Sequence, residues 1–146
     1  MTKTISGACL GLGLLCLAAS APAQNFIYVA NEDSASVSAY RVSPLGVLTT
    51  VAGSPFTAGT FPTAVAVDPH LKCAFASNAG DNTGTAYAID SSTGALTYLA
   101  SPGTEPNPQA LAVDPTGRFL SQASGYKVNR FNWLAKSSSI SSESDG

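Results

Sequence analysis

Two phrases of this chain nearly coincide: AVAVDPHLKCAFASNAG at residues 64–80 and ALAVDPTGRFLSQASG at residues 110–125, 46 positions apart. Self-similarity at a fixed period is the strongest constraint a single sequence can carry, because it requires one supersecondary unit to be used more than once. The rest of the chain falls into the same register. Phe26–Asn31 aligns with Cys73–Asn78 and Phe119–Ser124, Tyr40 with Tyr87, Gly46 with Gly94, Leu48 with Leu96, and Pro62 with Pro108. The serine-rich end joins the pattern, with Phe131 at the position of Tyr40 and Tyr87 and Ile140 nine residues beyond, as Leu96 lies nine beyond Tyr87. A disordered tail stays open as a reading for Ser141–Gly146.

Each period holds four apolar stretches of five to seven residues, rich in Val, Ala, Tyr and Phe, separated by Asp-Pro, Asn-Glu-Asp-Ser, Ser-Thr-Gly and Gly-Ser-Pro turns. Beyond the N-terminal leader none carries helical spacing of useful length. Four short strands in about 45 residues is the arithmetic of a β-propeller blade, and a lone blade cannot cover both of its faces. The expected fold is therefore all-β, a β-propeller of roughly two and a half four-stranded blades of an incomplete ring. A β-sandwich also has short strands at close spacing, but gives no reason for the recurring phrase. AVAVD and ALAVD read as inner strands packed on both faces, and VSAYRV and TAYAID as half-exposed outer ones.

The expected organisation is a secretory signal at 1–23 and a partial propeller at 24–146. Its first partial blade covers about 26–58, its second about 62–103 and its third, incomplete one about 108–146. Lys3, the apolar run Ile5–Ala19 and the small residues Ala21 and Ala23 have the grammar of a cleaved leader, with the cut between Ala23 and Gln24. That places the protein outside the cytoplasm, secreted or periplasmic, with no membrane attachment after cleavage. Seven Lys or Arg against nine Asp or Glu leave a net charge of −2, which argues against a nucleic-acid partner. With Cys9 and Cys16 in the leader, Cys73 has no internal disulfide partner; it aligns with Phe26 and Phe119 and reads as a core position.

Candidate chemical groups are few. His70, the single histidine, sits in the DPHLK turn where the sister repeat has Thr116, and reads more readily as exposed decoration than as a base. Glu32, Asp33 and Asp81 lie in corresponding loops, while Asp68 and Asp114 precede prolines and read as turn formers. No ligand spacing for a metal, no phosphate cradle and no cofactor motif is present. Catalytic and substrate-binding residues are left unassigned.

The combination in FIYVANEDSASVSAYRVSPLGVLTTVAGSPFTAGTFPTAVAVDP resembles the lactonase family of seven-bladed β-propellers and the broader YVTN-repeat propellers. The resemblance covers nearly all of 26–140. It implies opening, or the reverse closing, of a sugar-type lactone by intact relatives, as in a carboxylic ester hydrolase of the 6-phosphogluconolactonase type. It also implies that more blades complete the ring, so the expectation is a truncated reading frame, inactive by itself, or a piece that self-associates through exposed blade faces. The competing class is a non-enzymatic secreted propeller that binds a surface partner.

Overall fold

The computed structural model describes residues 25–125, 127–132 and 142–144. The leader, the cleavage position at Ala23 and Gln24, and Tyr126, Trp133 and Ile140 lie outside the described residues. Everything described is strand, turn or loop. The first sheet contains β1 (Asn25–Asn31), β2 (Ser36–Val42), β3 (Leu48–Thr50) and β4 (Phe56–Thr57). The second contains β5 (Pro62–Val67), β6 (Cys73–Asn78), β7 (Thr83–Ile89) and β8 (Leu96–Ala100), and the third β9 (Pro108–Val113), β10 (Phe119–Ser124), β11 (Lys127–Asn132) and β12 (Ser142–Ser144). The second and third are antiparallel meanders in chain order, the arrangement of a propeller blade.

Registers repeat with the sequence. Tyr87 pairs with Tyr98 eleven residues on, and Phe131 pairs with Ser142 eleven residues on, so the third sheet does acquire an outer strand from the serine-rich stretch. The tail reading fails for Ser142–Ser144. Backbone geometry repeats too: Leu71 and Gly117 carry φ of 54° and 69° in equivalent turns, and Gly46 and Gly94 both carry 79°. The first sheet departs from the pattern in two ways. Among the described residues it has no inner strand before β1, and its outer strand is split into β3 and β4 around the Gly53-Ser54-Pro55 turn, both pairing with β2. Proline has no N–H for a ladder bond, which is why the break falls there.

β5 lies against both β1 and β9, so the innermost described strands of neighbouring sheets meet at a hub. The core lies between the first two sheets, where Val37 meets Ala74, Ala76, Tyr87, Ile89 and Leu96, flanked by Tyr28, Phe56, Val65 and Val67. Burying each large apolar side chain in such a cluster is worth about 1.5–3 kcal/mol. The inner strands differ in burial: β5, with a sheet on either side, has Ala64–Val67 half-buried, whereas Gln109, Ala110 and Ala112 of β9 are exposed. β2 is more buried than expected: Val37 and Ala39 face the second sheet, and Ser36, on the opposite face, is buried in its hydrogen bonds to Asn31 and Ser34. Cys73 opens β6 half-buried, near the rim of the packed region rather than inside it.

Candidate functional site

The turns that leave the inner strands open onto the hub, and the sequence difference between them has chemical consequences. In both, an aspartate carbonyl accepts from the residue three positions on: Leu71 N–H to Asp68 O at 2.8 Å, and Gly117 N–H to Asp114 O at 2.9 Å. Proline at the second position presets the turn. In the third sheet the Asp114 carboxylate is consumed locally. It accepts from the Thr116 hydroxyl, from Phe119 N–H at 2.6 Å, and from Thr116 and Arg118 N–H at 3.0 and 2.8 Å. Led by the Thr116 hydroxyl, these donors lower its pKa from 3.8 to about 2.

In the second sheet His70 replaces that threonine, and the carboxylate does something else. Asp68 Oδ1 lies 3.1 Å from His70 Nδ1, with the Asp68 side chain 10% exposed and His70 59% exposed. Lys72 N–H approaches the other oxygen at 3.4 Å. The Cα of Gly117 roofs the pair: a Cβ there would stand 2.3 Å from Asp68 Oδ1 and 3.0 Å from His70 Nδ1. A carboxylate at Nδ1 fixes the imidazole so that Nε2 is the lone-pair nitrogen, turned away from its holder, which is the geometry of a general base. Lys72 and Arg118, both exposed, follow the two turns in sequence and add positive charge at this mouth.

The acidic candidates are at the other end of the strands. Asp81 accepts Thr60 N–H at 2.9 Å, tying the hairpin of the second sheet to the linker that enters it, and takes the Thr83 hydroxyl at 2.7 Å. Burial alone would raise its pKa, but the Thr60 and Thr83 donors outweigh it and the net shift is downward. Glu32 and Asp33 stay exposed in the hairpin of the first sheet. The histidine and these carboxylates are therefore at opposite mouths. The expected decorative His70 is exposed as anticipated, yet held by Asp68; Asp114 is the turn former it was read as, and Asp68 has a second task.

Sequence reading missed a repeated clasp behind the Asp81 mouth. Asn31 Nδ2 donates to Ser36 and Ser38 Oγ at 3.1 and 2.8 Å, and Asn78 Nδ2 to Thr83 and Thr85 Oγ1 at 3.0 and 2.9 Å. The signal was present as Asn followed by hydroxyl residues five and seven positions on. A cleft of about 380 Å³ between the first two sheets, lined by Phe56, Thr57, Tyr87, Leu96 and Tyr98, lies at the outer strands and away from His70. Among the described residues no group of three or more His, Cys, Asp or Glu could hold a metal.

The profile of the family described as "Lactonase, 7-bladed beta-propeller" matches residues 18–131. A search of curated proteins finds no match. Solved structures resemble the chain in fold. A functionally unknown protein from Desulfotomaculum acetoxidans superposes with a TM-score of 0.71 at 23% identity, over 83% of this chain and 39% of its own. A candidate 6-phosphogluconolactonase from Bacteroides fragilis gives 0.71 at 22%, over 80% and 34%. The periplasmic gluconolactonase of Pseudomonas aeruginosa gives 0.66 at 21%, over 83% and 36%. The chain thus spans between a third and two fifths of the length of these proteins.

Proposed function

The chain belongs to the lactonase family of seven-bladed β-propellers, and on that premise we propose that it supplies consecutive blades of an exported propeller that opens a sugar-type lactone. The observation that carries this reading is the Asp68–His70 pair at the hub. Ester hydrolysis needs a base to take a proton from water as it attacks the carbonyl carbon. In this reading His70 Nε2 is that base. The tetrahedral oxyanion then collapses, the ring C–O bond breaks, and the ring oxygen leaves as the hydroxyl of a sugar acid after taking up a proton. Lys72 and Arg118 favour an anionic substrate at the same mouth. A 6-phosphogluconolactone-like compound has that character, in keeping with the name of the Bacteroides fragilis neighbour.

Channel-mouth sites draw groups from several blades, so the chain by itself is expected to be inactive. The test is hydrolysis of 6-phosphogluconolactone and of uncharged gluconolactone, followed by acid release. The isolated chain should not exceed the spontaneous rate, and a polypeptide supplying seven blades should, with His70→Asn removing the gain. A rate unaffected by His70→Asn would remove His70 from the chemistry.

Export rests on the leader at 1–23. The protein recovered from periplasm or medium should begin at Gln24, by intact mass; a mass retaining Met1–Ala23 would refute it.

One arrangement favours the competing reading. The mouth opposite His70 exposes the polar loop side chains Glu32, Asp33, Ser34, Asp81 and Asn82, with the buried Asn78 clasp behind them, as suits a module that binds a surface partner without chemistry. Retention of such binding in a His70→Asn protein that never turned over a lactone would select it.

A further inference from the structure

The interface between the first two sheets provides a template for the two sheet faces left open. On the side of the second sheet it uses Ala74, Ala76, Tyr87 and Leu96, and on the side of the first it uses Val37 and Tyr28. Register places Ile27, Val29, Tyr40 and Leu48 of the first sheet at the positions of Ala74, Ala76, Tyr87 and Leu96. It places Val128 of the third sheet at the position of Val37. Exposure reverses between them. Leu96 is 7% exposed and Leu48 52%; Val37 is 0% and Val128 61%. The two open faces thus correspond in register to the two halves of an interface that the chain already forms internally, with Val128 kept apolar and Ser121 and Arg130 standing where Tyr28 and Ala39 do.

A second detail has the same form. Gly94, in the turn between β7 and β8, rests on the Phe26 ring so closely that a Cβ would stand 2.3 Å from it. Arg41 covers that ring at 5.8 Å and donates to Ser92 O of the same turn at 3.3 Å. Phe119 is the equivalent aromatic of the third sheet, with Arg118 and Arg130 over it at 5.4 and 4.9 Å, and no turn on it among the described residues. Gly46 is the equivalent of Gly94, with the same φ of 79°, and nothing lies within 4 Å of where its Cβ would be. Leu45 beside it is 91% exposed.

We infer that a second copy of this chain docks head to tail, its first-sheet face on the third-sheet face of its neighbour, with the Ser43–Gly46 turn seated on Phe119. Such a contact joins two different surfaces, and because it repeats the rotation from one blade to the next it curves around the hub toward a ring. The apolar positions it covers are those that drive association when left open. It is independent of any lactone chemistry.

Sedimentation velocity of the purified protein over a range of concentrations tests it. The mass should rise with concentration from one chain to two. Leu48→Asp blocks one face and Val128→Asp the other, both at exposed positions where the fold tolerates charge. Each variant alone should remain a monomer, and an equimolar mixture should form a one-to-one pair through the two unaltered faces. Gly46→Asn, which tolerates a positive φ, should leave the single chain folded by circular dichroism and weaken association by roughly tenfold or more. A wild-type monomer at every concentration overturns the inference, whether the faces stay open or further blades of one longer polypeptide cover them. So does a mixture that fails to pair, or association unaffected by all three changes.

Discussion

The Tyr28 hydroxyl donates to the Gly94 carbonyl at 3.0 Å, joining residues 66 positions apart and fastening the first sheet to the turn of the second. The same turn receives Arg41 and lies on Phe26. Tyr28→Phe should therefore destabilise by about 1 kcal/mol, the net worth of one hydrogen bond. Gly94→Ala should cost more, about 2–4 kcal/mol, since it combines a positive φ with a collision against Phe26. Urea unfolding midpoints measure both, and the expected order is Gly94→Ala below Tyr28→Phe below wild type.

The two asparagine clasps separate burial from bonding. Asn78 is fully buried and Asn31 half-buried, though each bonds two hydroxyls. Truncating Asn78 to Ala strands the buried Thr85 hydroxyl, while Thr83 keeps Asp81, and should cost about 1–3 kcal/mol. At Asn31, water replaces the amide, and the loss should stay below about 1 kcal/mol. Equal losses would mean that the hydroxyl pairs, and not desolvation, set the energy.

Much of the fold was legible because blade geometry is written into equivalent positions: Phe26, Cys73 and Phe119 stand at or next to the start of a second strand, and Asp68 and Asp114 each follow an inner one. What the repeat could not convey were the exceptions to it. Gln122 and Asn129 are buried opposite one another where the second sheet has Ala76 and Thr85, and Gln122 Oε1, Ser124 Oγ and Asn129 Nδ2 are without protein partners. Sequence alone marks such residues as surface, because burying an amide depends on what a neighbouring sheet presents. The Asp68–His70 pair was hidden for a related reason. Its two residues are adjacent in the turn, but the roof over them is Gly117, from the next unit.

Asp114 makes a prediction about acid. Its carboxyl titrates near 2 in the folded chain against 3.8 when free, because the Thr116 hydroxyl and the Phe119, Thr116 and Arg118 N–H groups bond the charged form. A depressed folded pKa contributes stability that is present above 3.8 and lost as pH falls toward 2. Asp114→Asn should lower stability at neutral pH and flatten its decline across that window. Urea midpoints at a series of pH values between 2 and 5 would show it; an unchanged slope in the variant would assign the acid sensitivity elsewhere.

The alkaline side has the opposite sign and a different cause. Burial disfavours the phenolates of Tyr28 and Tyr87 and raises both from 10 to about 12. Tyr87 is buried at the interface of the first two sheets, its hydroxyl donating to Thr57 O at 2.7 Å, and ionisation would remove that donor and place charge beside Leu96 and Phe56. In the unfolded chain both tyrosines ionise near 10, so proton release favours unfolding as pH rises from 10 to 12. Phenolate absorbance should show two tyrosines that resist titration until about pH 12 or until the chain unfolds. Stability measured across the same range should fall, less steeply in Tyr87→Phe, whose ring still fills its place but has no proton to lose. Tyr87→Phe should also give up about 1 kcal/mol at neutral pH with the Thr57 bond. A variant that loses this energy yet keeps the full alkaline slope would show that the interface opens before Tyr87 ionises, and would move the origin of the slope to Tyr28.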